Sequence, residues 1–126
     1  MTGLKLLIVD DMPQVRHDLR TVLPLAGEAA GLPIEIVGEA GDGLEAIQQA
    51  GALRPQIILM DLEMPQMDGD CATREIKALY PGIKVLVLTV HNTQNDRKKA
   101  HQAGADGFIE KGALVTEIIN QIQSIA

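Results

Sequence analysis

Five short apolar runs alternate with stretches of helical periodicity, and that alternation restricts the fold more than any other feature of the chain. The runs are Lys5-Asp10, Ile34-Ala40, Ile57-Asp61, Ile83-Thr89 and Gly107-Glu110. The first, third and fourth are nearly unbroken Leu, Ile and Val, the pattern of strands covered on both faces. In the intervening segments apolar residues recur at helical steps: Val15, Leu19, Val22 and Leu23, then Leu44, Ile47 and Ala50, then Ala72, Ile76 and Leu79. Pro13 just after an acidic pair, Asp42-Gly43, and Asp68 mark helix starts. Pro24 is expected to kink or end the first helix, because it lacks an N–H and clashes one turn back. Residues 24–33 are therefore either a helical extension or a loop. Strands that alternate with helices imply right-handed crossovers and a parallel sheet with helices on both faces.

At 126 residues the chain reads as one domain, 1–126. A domain of this size buries about two-thirds of its unfolded surface and needs no disulfide or structural metal. The single cysteine, Cys71, has no intrachain partner, which fits a reducing compartment. No stretch approaches the ~20 apolar residues of a membrane span, and the N-terminus lacks a signal-peptide pattern. A cytoplasmic protein without membrane contact is the expectation. With 17 acidic and 11 basic side chains the net charge is -6, which argues against this chain gripping nucleic acid by itself. The run Arg97-Lys98-Lys99 is short and reads as a solvated helix face. With Tyr80 and Phe108 the only aromatic residues, base-stacking surfaces are not expected either.

In parallel α/β sheets, ligands sit outside the carboxyl ends of the strands. Those ends carry Asp10 and Asp11, then Asp61, Thr89 and Lys111. Taken singly, each is as well explained by a cap, a turn or a surface charge; Asp10-Asp11-Met12-Pro13 in particular could simply cap the first helix. Taken together, they place three carboxylates, a hydroxyl and an ammonium on one rim. Carboxylates so close would repel and raise one another's pKa values unless a cation intervened. A hard divalent cation with oxygen ligands resolves this, and Mg²⁺ characteristically uses one or two carboxylates, waters and a phosphate. Two positive charges from the metal and one from Lys111 would balance the three acids. A neutral site of this kind suits attack by a carboxylate on phosphorus, giving an aspartyl phosphate.

The strings "LLIVDDMPQVR", "IILMDLEMPQMDG", "VLVLTVH" and "GADGFIEKG" resemble the four signature blocks of a response-regulator receiver domain of two-component signalling, from about Lys5 to Ile125. The resemblance implies a flavodoxin-like, doubly wound parallel sheet of five strands in the order 2-1-3-4-5, with five helices. It implies Asp61 as the phosphoacceptor, charged by a sensor histidine kinase or phosphotransfer protein. It also implies Asp11 and Asp61 as direct Mg²⁺ ligands, Asp10 acting largely through water, and the Glu63 backbone carbonyl completing the site. Thr89 and Lys111 match the residues that contact phosphoryl oxygens. Phe108 matches the aromatic switch position, and without a hydroxyl it would have to work by ring packing toward or away from Thr89. Gly112 stands where the family often has Pro. The stretch "IVGEAGDGLEAI" resembles receivers usually joined to a C-terminal helix-turn-helix output domain, hence a transcriptional output.

Glu63 and His91, each two residues past a site residue, are candidates for setting the phosphate lifetime by orienting or repelling a hydrolytic water. His17, His91 and His101 show no metal-ligand spacing, and "GEAGDG" reads as a turn, not a dinucleotide fingerprint. In the last segment Val115, Ile118, Ile122 and Ile125 form a heptad-like seam, with Leu114 and Ile119 beside it. That seam suits core packing, a homodimer through the last helix, or the root of a helical linker. Two other functions compete with the switch: a Mg²⁺-dependent phosphatase working through an aspartyl phosphate, and a scaffold that never takes phosphate. The phosphatase would need a cap to enclose its substrate, and the scaffold would have no use for all five rim residues.

Overall fold

The computed structural model describes residues 3–64, 67–90 and 93–126. Strands β1 (Leu4–Val9), β2 (Ile34–Ala40), β3 (Ile57–Asp61), β4 (Lys84–Thr89) and β5 (Gly107–Glu110) alternate with helices α1 (Pro13–Ala29), α2 (Gly43–Leu53), α3 (Gly69–Leu79), α4 (Gln94–Gln102) and α5 (Val115–Ile125). All pairings are parallel and the strand order is β2-β1-β3-β4-β5, as the resemblance implied.

The unbroken apolar runs are two alternating sets laid end to end. Leu7, Val9, Ile58, Met60, Val85 and Val87 face one way, into a core completed by Ala46 and Ala50 of α2 and Ala72 and Ile76 of α3. Leu6, Ile8, Ile57, Leu59, Leu86 and Leu88 face the other way, against Leu23 of α1 and Ile118, Ile119 and Ile122 of α5. Successive side chains of a strand point to opposite faces, so a run apolar at every position needs a cover on both. The seam of α5 is thus spent on the chain's own core. Its exposed residues Thr116, Glu117, Asn120, Gln123 and Ser124 are polar or charged.

All three marked helix starts hold, two of them through a side-chain cap. Asp42 caps α2 through the Glu45 N–H, and Asp68 caps α3 through the Cys71 N–H, each at 2.8 Å. Helix α1 instead starts at Pro13 with Met12 as an N-cap that makes no side-chain bond. Pro24 does not end α1. It removes one backbone bond, to the Arg20 carbonyl, but Leu23 and Gly27 on either side are buried and the helix runs on to Ala29. The apolar periodicity also overreaches at Val22, Leu44 and Leu79, which are exposed; small residues such as Ala46 and Thr73 take the inner face instead. Helix α4 buries only Ala100. It is held at its start by a reciprocal capping box between Thr93 and Asp96.

The turn from β3 into α3 brings backbone against backbone. The Gly69 N–H donates to the Leu62 carbonyl at 3.1 Å, and a Cβ on Gly69 would collide with the carbonyl oxygen of Asp61. Gly69→Ala is expected to lower unfolding free energy by about 2 kcal/mol, the scale of overpacking against backbone that cannot yield. A urea titration beside the parent protein checks this.

Candidate functional site

Asp10 follows the last residue of β1, Asp61 ends β3, Thr89 ends β4 and Lys111 follows β5. The strand order sets the first three side by side on adjacent strands at the carboxyl edge of the sheet. Asp10, Asp61 and Thr89 are buried at 3%, 2% and 0% exposure, while Asp11 is exposed. Buried charge at that depth has to be paired. The Lys111 ammonium does the pairing, 2.7 Å from Asp10 Oδ2 and 3.3 Å from Asp61 Oδ2. The other Asp10 oxygen accepts from the Met12 N–H at 2.9 Å, and Asp61 Oδ1 accepts from the Glu63 N–H at 3.3 Å. Asp10 thus anchors the turn into α1, but through Met12, without capping the helix itself.

Lys111 is aimed by its backbone. Its N–H donates to the Thr89 carbonyl at 2.7 Å, and the next residue, Gly112, has φ of 95°. Proline is fixed near φ of about -65°, so this turn cannot hold the proline that the family often places there. The departure at Gly112 belongs with a left-handed turn immediately after the lysine.

The electrostatics show a centre under tension. Burial first, and then repulsion from Asp10, push the Asp61 carboxyl up to about 7, against the opposing pull of Lys111 and the Glu63 N–H. For Lys111, burial works against its charge, but the carboxylates of Asp10 and Asp61 outweigh it and hold the ammonium above its usual range. One oxygen from each of Asp10, Asp11 and Asp61 lies within 4.8 Å of the other two. Asp61 Oδ2 is buried without a hydrogen bond, with only the longer contact to Lys111. Hard oxygen donors at this spacing, one of them unsatisfied, fit a small divalent cation.

Two neighbours of the site extend it. The Thr89 hydroxyl donates to Glu63 Oε1 at 2.6 Å. The half-buried ring of Phe108 lies beneath the Arg97 guanidinium, 5.1 Å from its ring centroid. Of the residues singled out in the sequence, Asp10, Asp11, Asp61, Glu63, Thr89 and Lys111 come together, and Phe108 stands on β5 opposite Val87. His91 lies outside the described residues.

The model of the response regulator receiver domain family matches residues 6–123. The chain belongs to that family. The receiver is 37% identical over 120 residues to the response regulator protein VraR of Staphylococcus saprophyticus, covering 95% of this chain and 55% of that one. It is 36% identical over 122 residues to the response regulator UvrY of Escherichia coli, covering 97% of this chain and 54% of the relative. It therefore spans about half the length of these curated relatives. A LuxR-family two-component response regulator from Aurantimonas superposes with a TM-score of 0.87 at 30% identity, over 98% of this chain and 85% of that one. A DNA-binding LuxR-family regulator from Staphylococcus aureus gives 0.86 at 25%, over 96% and 97%.

Sequence reasoning missed Arg16. Its guanidinium donates to the Asp10 carbonyl at 2.6 Å and to Glu39 Oε1 at 3.1 Å, and Glu39 also holds Arg20 at 2.8 Å. This network fastens the acidic turn to β2 and α1. Helical spacing alone puts Arg16 on α1, but no local signal says that it turns back to the strand tip.

An acid whose folded pKa is raised binds its proton more tightly in the folded state. Folding stability then falls as pH rises from the ordinary 3.8 of Asp61 through about 7. Asp61→Asn is expected to stabilise the metal-free receiver by about 2 kcal/mol near pH 8, with the difference vanishing below about pH 4. Chemical denaturation of both proteins across that range checks it; a parent that grows more stable relative to Asp61→Asn as pH rises would contradict it.

Proposed function

We propose that the receiver is a phosphorylation-controlled switch in which Asp61 accepts a phosphoryl group from a histidine kinase or phosphotransfer protein and the change is relayed to a transcriptional output. The observation that carries this reading is a buried carboxylate at a strand tip with Lys111 3.3 Å away and a hydroxyl, Thr89, at the next strand end. A carboxylate oxygen of Asp61 attacks phosphorus. The new P–O bond forms as the P–N bond to the donor imidazole breaks, and its electron pair returns to that nitrogen. The burial that lifts the Asp61 pKa also strips it of competing water, so the ionised form is a reactive nucleophile. Lys111 already bridges two acids and can pass to a phosphoryl oxygen without leaving the site. Thr89 supplies a second donor. Mg²⁺, held by Asp11 and Asp61 directly, by Asp10 largely through water and by the Glu63 carbonyl, would neutralise the acids and the incoming phosphoryl group.

The relay runs through Thr89 and Phe108. Drawing the Thr89 hydroxyl toward a phosphoryl oxygen alters the packing beside Phe108, whose ring has no hydroxyl and can answer only by moving against Arg97. Phosphorylation and hydrolysis act on the chain's own Asp61, so it is a regulatory acceptor and not an enzyme with a separate substrate. The open rim, with Asp11 exposed, gives the phosphatase reading no enclosure to work in. Glu63 and His91 remain the residues proposed to set phosphate lifetime. Length relative to VraR and UvrY supports an output segment outside these 126 residues. A cytoplasmic setting suits a donor kinase, and no helix among the described residues is long and apolar enough to cross a membrane. A homodimer through the last helix would have to use its polar outer face.

Incubation with Mg²⁺ and a small acyl-phosphate donor, followed by intact-mass analysis, tests the reading. The parent is expected to gain one labile phosphoryl group and Asp61→Asn none. An adduct that persists in Asp61→Asn, or rapid turnover of diverse phosphate esters, would contradict it.

A further inference from the structure

We propose that Glu63 is a positioning residue that holds the Thr89 hydroxyl in the unphosphorylated receiver and competes with the phosphoryl group for its proton. This rests on the reading of Asp61 as the phosphoacceptor. The Thr89 hydroxyl donates to Glu63 Oε1 at 2.6 Å, a short bond of the charge-assisted kind. Threonine has one O–H to give. With Glu63 in place Thr89 is 0% exposed, so the carboxylate and not bulk water faces its hydroxyl in the resting receiver. Glu63 is exposed, so its carboxylate already borders solvent.

Glu63 is also tied to the reacting group. It follows Asp61 by two residues, and its N–H donates to Asp61 Oδ1 at 3.3 Å. A phosphoryl group on Asp61 therefore arrives beside the Glu63 side chain carrying like charge. One proton cannot serve both anions, and like charges at such range repel. The exchange is exclusive: Thr89 donates to Glu63 before transfer and to a phosphoryl oxygen after it. Glu63 accordingly opposes phosphorylation through Thr89, and phosphorylation turns a carboxylate out to the surface beside the active rim.

Simple charge repulsion would also make Glu63 oppose an anion, so the test has to separate the two. Beryllofluoride with Mg²⁺ serves as the phosphoryl probe, with affinity measured by calorimetric titration. Glu63→Gln keeps the backbone carbonyl and the side-chain shape but is a weaker, neutral acceptor. It is expected to tighten binding of the probe roughly fivefold, the difference between a charged and a neutral acceptor. The gain is expected to survive in a Thr89→Ser background, where the hydroxyl remains, and to disappear in Thr89→Val. Thr89→Ala replaces Thr89→Val if the latter lacks a cooperative thermal transition. An equal gain with and without the hydroxyl, or no gain in the parent background, overturns the proposal. A parent that fails to bind the probe, or an Asp61→Asn variant that binds it as tightly as the parent, removes the phosphoacceptor reading itself and this proposal with it.

Discussion

The ammonium of Lys111 between two buried carboxylates is the interaction on which the site depends. Asp10 and Asp61 sit at the tips of neighbouring strands β1 and β3, where the sheet leaves them almost no water. Leaving such charges unpaired costs several kcal/mol each. Lys111 offsets part of this at 2.7 and 3.3 Å, but one cation against Asp10, Asp61 and the nearby Asp11 leaves the centre short of positive charge. Burial first, and then repulsion from Asp10, raise the Asp61 pKa in spite of the lysine. On the proposed reading, a fold that carries this cost in the resting state would gain from a divalent cation and a phosphoryl group that complete the balance.

The rest of the molecule keeps the tension from relaxing. Two apolar layers cover the sheet, so the strand tips cannot shift without moving residues such as Ile58 and Leu59 out of opposite cores. Gly69 lets α3 start close against the Asp61 carbonyl, and Arg16 pins the Asp10 carbonyl from the other side. The Lys111 N–H, bonded to the Thr89 carbonyl, ties the lysine to the end of β4. Each of these contacts involves backbone, which is why the acids are held by geometry that side-chain rotation cannot undo.

Much of this was legible in the sequence because it depends on local patterns. Runs apolar at every position require two covering layers, and Asp42 and Asp68 announced the starts of α2 and α3 by ordinary capping chemistry. The rim residues could be gathered from sequence because strand ends in a parallel sheet share one edge. What escaped was set by tertiary contacts. Pro24 lies inside α1 because the burial of Leu23 and Gly27 outweighs one lost backbone bond. Helix α4, read from its basic run as a solvated face, has no apolar stripe to mark its bounds, since only Ala100 is buried. The seam of α5 suited a core, a homodimer or a linker root, and the sheet beneath it takes Ile118, Ile119 and Ile122 into the core. The pairing of Glu63 with Thr89 joins residues 26 apart in sequence and has no local signal.

The central claim is that the three aspartates form a charge-deficient centre built to take a divalent cation. Thermal unfolding of the receiver with increasing Mg²⁺ tests it most directly, because a ligand that binds only the folded state raises stability with the logarithm of its concentration above Kd. The account requires the midpoint to climb with Mg²⁺, more steeply near pH 8 than near pH 6, where protonation of Asp61 competes. The climb should shrink sharply in Asp61→Asn. A midpoint indifferent to Mg²⁺ at both pH values, or a climb that Asp61→Asn leaves intact, would contradict it.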